Sequence, residues 1–177
     1  MGSGSFGDAI GATLAVQQLG WESDEYSSFL SGLNFVSAPL AVLVAAPAVK
    51  AIGLRNSLFV VFAAHVATGL IGGLTLPFWE GDTIFMALTF FQSLAHTLTL
   101  VFGCVWLMHL CDPKVAASQF ALFNAAPTLV RSFYTGNSGF VIEWGGYEAI
   151  YLAIAGLASL GMIALFFARV NNQRTTE

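Results

Sequence analysis

Six long apolar runs, joined by short connections whose charges alternate in sign, constrain this chain more than any other feature it has. The runs cover about Gly4–Gly20, Tyr26–Val49, Leu58–Pro77, Thr83–Leu110, Val115–Ile142 and Tyr147–Ala168. Each of the last five reaches the roughly 20 residues that an α-helix needs to cross a hydrocarbon core. The first contains Asp8, Gln17 and Gln18 and reads as a helix lacking part of its start. Only 9% of the residues are charged, where a soluble domain carries about 25%. Glycines and phenylalanines within continuous apolar runs suit packed helices and not the alternating pattern of a barrel. The expected class is an all-α membrane protein with six transmembrane helices, the first truncated.

Charge placement orients these segments. The connections after segments two and four, with the tail, hold Lys50, Arg55, Lys114, Arg169 and Arg174, which leaves Arg131 alone among the six basic residues. The opposite connections hold Glu22, Asp24, Glu25, Glu80, Asp82, Glu143 and Glu148, and no base. By the positive-inside rule, the basic side and the C-terminus are expected in the cytoplasm. Trp21, Trp79 and Trp144 fall at the acidic ends, where interfacial aromatic rings are enriched.

The fifth segment has an unusual face. Asn124, Thr128, Arg131, Thr135 and Ser138 recur at helical spacing and make one polar stripe, with apolar residues over much of the remainder. Arg131 precedes Glu143 and Asp8 precedes Trp21 by a similar interval, which places each about 18–20 Å from the acidic boundary at 1.5 Å per residue. Asn34, His65 and His96 come out at comparable depth. Substrate and coupling-ion sites of secondary transporters lie near this level. Gln92, His96, Thr99 and Gly103 stripe the fourth segment, and Ser27, Ser31, Asn34 and Ala38 the second. Segments one, two, four and five are therefore candidates for lining a cavity, and three and six for facing lipid.

Other functions are disfavoured. A net charge of −4 argues against nucleic acid as a partner. Cys104 and Cys111 with the three histidines show no zinc-ligand spacing, so no metal, cofactor or disulfide framework is expected. No acid–base or metal spacing recurs on one helix, which speaks against an enzyme.

Several blocks resemble the C-terminal half, helices seven to twelve, of a major facilitator superfamily transporter. They look most like the branch holding the AmpG-type muropeptide permease and the acetyl-CoA transporters. The blocks are Phe6-Gly7-Asp8-Ala9, Gly20-Trp21, Lys50-Ala51-Ile52-Gly53-Leu54-Arg55 and Leu107-Met108-His109-Leu110-Cys111. Ala117-Ser118-Gln119-Phe120-Ala121-Leu122, Arg131, Gly136, Gly139 and Phe140 to Glu143 follow. The resemblance implies proton-driven inward transport of anhydro-muropeptides across a bacterial inner membrane. It also implies a missing N-terminal six-helix half as partner, and it places Asp8, Gln119 and Arg131 at family motif positions.

Each polar residue has two readings. Arg131 is either a cavity cation for an anionic substrate or one end of a structural ion pair with Asp8, and intramembrane charges more often serve function. Asp8 is either a proton-coupling carboxyl or a group near a frayed, wet end. His96 either relays protons or makes an interhelical hydrogen bond. Gln92 and Asn124 either bind sugar or amide groups or hold helices together, whereas His65 reads as a packing histidine. The expected function is secondary transport of a glycopeptide or another anionic solute. A non-transporting fragment or assembly subunit is the rival.

Overall fold

The computed structural model describes residues 11–79, 81–112 and 114–167; Asp8 lies outside them, as do the side chains of Asn124 and Arg131. Helix α1 covers 11–17, α2 Ser23–Ile52, α3 Leu54–Thr75 and α4 Thr83–Leu110, with a 3₁₀ turn at Leu76–Phe78. A further helical run, Ala116–Phe167, is interrupted at Gly146, whose φ of 70° and ψ of −171° only glycine adopts at low cost. The interruption divides it into α5 (116–145) and α6 (147–167). No strand occurs among the described residues. Four stretches, Ser23–Ile52, Leu54–Phe78, Thr83–His109 and Thr135–Phe167, are long and apolar enough to cross a membrane. The chain is thus an α-helical multi-pass membrane protein, and each of its six apolar runs contains a helix among the described residues.

Local chemistry explains the boundaries. At the start of α2, the Glu22 backbone N–H donates to the Glu25 carboxylate at 3.0 Å while the Glu22 side chain accepts from the Glu25 backbone, a reciprocal cap. Asp24 and Glu25 occupy the first turn and Lys50 the last, each favoured by the helix dipole there. Pro39 and Pro47 lie inside α2, which continues past both. Gly53, at φ 80°, turns the chain directly into α3.

Two apolar clusters sit at opposite ends of the bundle. One gathers Leu14, Ala15, Tyr26, Phe85, Tyr147, Ile150, Tyr151 and Ile154, with Trp21, Phe29 and Trp79 against it. The other gathers Ala41, Ala45, Leu58, Val61, Ala95, Leu98, Phe102 and Leu165. The first cluster draws on the start of α2, the start of α4 and the start of α6, whereas the second draws on the far ends of those helices and the start of α3. Helices consecutive in the chain from α2 to α4 therefore run in opposite directions, while α2, α4 and α6 run the same way. The acidic connections collect at one end, and Lys50 and Arg55 at the other. Val141 and Ile142, near the end of α5, pack on the first cluster, so α5 also runs from the basic end to the acidic end.

The expectation that the third segment faces lipid needs correction. Val60, Leu70, Ile71 and Leu74 are exposed on α3, but Ser57, Val61, His65, Thr68, Gly69 and Gly72 are buried against its neighbours. The reason is its glycines. A Cβ on Gly69 would stand 2.7 Å from the Tyr151 carbonyl oxygen and 2.9 Å from the Ala155 nitrogen, and one on Gly72 would enter the Tyr151 ring. These small residues let the α6 backbone lie directly on α3, the close approach that membrane helices use in place of a hydrophobic driving force.

Candidate functional site

A polar seam crosses the bundle between α2 and α4. The Ser93 hydroxyl donates to Asn34 Oδ1 at 3.2 Å, and the hydroxyl of fully buried Ser37 lies 3.1 Å from Ser93 Oγ. Because Ser93 spends its proton on Asn34, Ser37 is the donor in the second bond. Thr97 on the next turn of α4 donates to the Ser93 carbonyl at 3.0 Å. Small residues permit this approach: Ser37, Ala41 and Ala45 follow Leu33 in a buried row of α2 at four-residue spacing.

The seam has a directional consequence. Asn34 is exposed, and its carboxamide oxygen accepts from Ser93, so what the amide has left to offer a ligand is its NH₂ donors. Such donors at mid-membrane suit acceptors such as carboxylates, glycan hydroxyls and amide carbonyls.

Gln92 turns to a different side. It lines a small cavity of about 40 Å³ with Gly11, Leu14, Phe85, Thr89, Ile150, Tyr151 and Ile154, between α1, α4 and α6. Its Nε2 is buried without a hydrogen-bond partner among the described residues. The volume admits about one water molecule and no substrate. His96 is half-buried one turn beyond Gln92. Gln119 stands at the basic end, where its Oε1 accepts from the Asp112 backbone N–H at 2.8 Å and closes the turn between α4 and α5. The structure thus joins Asn34 to the Ser93 side of α4 and places Gln92 and Gln119 elsewhere. Asp8 lies outside the described residues, and so do the side chains of Arg131 and Asn124.

His65 is a packing residue in geometry. It is buried on α3, with Nε2 3.3 Å from Thr99 Oγ1, and that hydroxyl donates to the Ala95 carbonyl at 2.8 Å. Among the described residues no three His, Cys, Asp or Glu side chains converge to hold a metal ion.

Helix α5 contributes two opposed faces. Leu122, Leu129, Phe133 and Phe140 share one side and are each at least 66% exposed. Thr128 and Thr135, on the opposite side, are exposed as well.

No protein-family model matches the chain, and no curated protein matches its sequence. The functional reading accordingly rests on these residues. Ser37 was not singled out by its sequence, although it lies three residues after Asn34 in a row of small side chains. Tyr147 was also missed; its hydroxyl donates to Gln17 Oε1 at 2.9 Å and ties α1 to α6 at the acidic end.

Proposed function

We propose that this chain is the C-terminal six-helix half of a secondary active transporter of the major facilitator type. Its favoured role is proton-coupled import of anhydro-muropeptide-type cell-wall fragments across a bacterial inner membrane, with the C-terminus in the cytoplasm. The observation that carries this reading is the α2–α4 seam, where buried Ser37 and Ser93 hold exposed Asn34 by its amide oxygen and leave its NH₂ donors to a ligand. Lipid leaves such donors unsatisfied, so a solute, water or another protein surface must meet them. Arg131, one helix away in sequence order, adds a fixed cation for an anionic group. Donors plus one positive charge suit a glycopeptide carrying carboxylates; a different anionic solute, of the acetyl-CoA kind, fits the same chemistry. The exposed apolar row of Leu122, Leu129 and Phe140 on α5 supports an N-terminal half as the partner, and equally supports a second reading in which the chain is a non-transporting assembly subunit.

In this mechanism protonation of Asp8 weakens its hold on Arg131 and frees the guanidinium for substrate. The test is uptake of labelled anhydro-muropeptide by cells expressing the complete reading frame that contains this sequence. Accumulation is expected only with an inward proton gradient. Asp8→Asn should abolish accumulation and leave exchange; undiminished uphill uptake in that variant rules the mechanism out.

A further inference from the structure

The basic end holds an apolar groove that the seam does not use. It has a volume of about 260 Å³ and is lined by Met108 and Cys111 from the end of α4 and by Ala117 and Phe120 from the start of α5. The connection between its two rims, Cys111 to Val115, contains exposed Lys114. In that turn the Asp112 carboxylate accepts the Lys114 backbone N–H at 2.9 Å, and the Asp112 backbone N–H is taken up by Gln119. The turn therefore spends its carboxylate on its own backbone and leaves the lysine ammonium projecting without an ionic partner among the described residues.

We infer that this groove is a binding site for one acyl chain of an anionic phospholipid, with Lys114 holding the headgroup phosphate. Three features converge on that occupant. The lining is wholly apolar or thioether and thiol, which suits methylene groups and offers a solute no hydrogen bond. The groove opens at the basic end of α4, just past the Thr83–His109 stretch that is long and apolar enough to cross a membrane. Exposed Lys114 lies in the short connection that joins the two rims, on the basic side of the bundle, and anionic lipids are drawn to basic residues immediately beside transmembrane helices. Lysine also reaches this level easily, because its apolar stem runs along the hydrocarbon while its ammonium stays at the interface. The inference is independent of any transport activity.

Cys111 supplies a reporter inside the groove. The chain carrying Cys104→Ser, which leaves Cys111 as its one thiol, is placed in nanodiscs of dioleoyl phosphatidylcholine with or without dioleoyl phosphatidylglycerol. The alkylation rate with N-ethylmaleimide is then measured. The anionic lipid should slow labelling about fivefold, the occupancy gain of one lysine near an anionic surface, and Lys114→Gln should erase the difference. Equal rates in the two bilayers overturn the inference, as does a difference that survives in Lys114→Gln, since surface potential alone acts on both proteins. Native mass spectrometry of the unmodified chain in detergent with equal amounts of both lipids gives a second readout. Preferential retention of one phosphatidylglycerol supports the site, and equal retention refutes it.

Discussion

Substituting alanine for Gly69 tests the close contact on which the α3–α6 pair depends. The added methyl would sit 2.7 Å from the Tyr151 carbonyl oxygen, 2.9 Å from the Ala155 nitrogen and 3.0 Å from the Ala155 Cβ. Ordinary contact begins near 3.4 Å, so the helices must separate by roughly 0.7 Å along that line. The two nearest obstacles are backbone atoms of α6, which no rotamer change can move aside. Overpacking of this kind costs about 1–3 kcal/mol. Replacing a helical glycine by alanine returns roughly 0.5–1 kcal/mol, so the net loss is about 1–2 kcal/mol. For a chain of this length that corresponds to a fall in Tm of roughly 2–8 °C. The assay is thermal unfolding in detergent, monitored by the change in tryptophan emission, alongside Gly32→Ala as the control. Gly32 lies in α2 with nothing within 4 Å of a Cβ, so its alanine variant keeps or slightly raises Tm. If Gly69→Ala melts with Gly32→Ala, α6 does not lie on α3 through its backbone and the account of the α3 glycines is wrong.

Further perturbations address the seam and the basic end. Ser93→Val removes the hydroxyl shared by Asn34 and Ser37 and strands a fully buried donor, at about 1–3 kcal/mol; the double variant Ser37→Ala/Ser93→Val should recover part of the lost Tm. Arg55 Nη2 donates to the Leu165 and Phe166 carbonyls at 3.2 and 3.0 Å, closing the end of α6. Arg55→Leu should therefore speed amide exchange in the last turn of α6 with little change near Tyr147, whereas uniform exchange across α6 contradicts a local clamp. Trp79→Phe removes the indole N–H bond to Thr75 Oγ1 at 2.9 Å and should cost no more than about 1.5 kcal/mol, read as a Tm shift; a larger loss would mean that the ring's packing dominates.

The helices were legible because the physical signals for them are local. Apolar length, alternating loop charge and boundary tryptophans each act within one segment, and α4 begins and ends at the expected Thr83 and Leu110. The extra turn at the start of α3, from Leu54, was hidden because Gly53 reverses the chain without a loop. The burial of α3 was misread for a related reason. In water, glycine inside a helix is a weakness, but between membrane helices the missing side chain is the contact surface. Composition alone does not tell a glycine that faces lipid from one that meets Tyr151. At the site, Asn34 stood out by depth and polarity, while Ser37 resembled filler among small residues. Its importance appears only when α4 brings Ser93 alongside.

The arrangement of α2, α4 and α5 limits what this chain can be. A serine hydroxyl in a membrane helix can satisfy itself on the carbonyl four residues back, as Ser27 and Ser31 do at 2.7 and 2.8 Å. Ser93 does not, and directs its proton across to a second helix, which orders Asn34. A carboxamide cannot hide both of its N–H groups in this way, so ordering its oxygen amounts to displaying its donors. Interhelical glue alone would favour burying the whole amide between α2 and α4, yet Asn34 is exposed. Helix α5 adds exposed Thr128 and Thr135 on the side away from its exposed apolar row. One exposed apolar face is ordinary at a lipid boundary; exposed polar residues on two separate helices are not. The proposed cavity, shared with a second half, rests on these two sets of exposed polar groups.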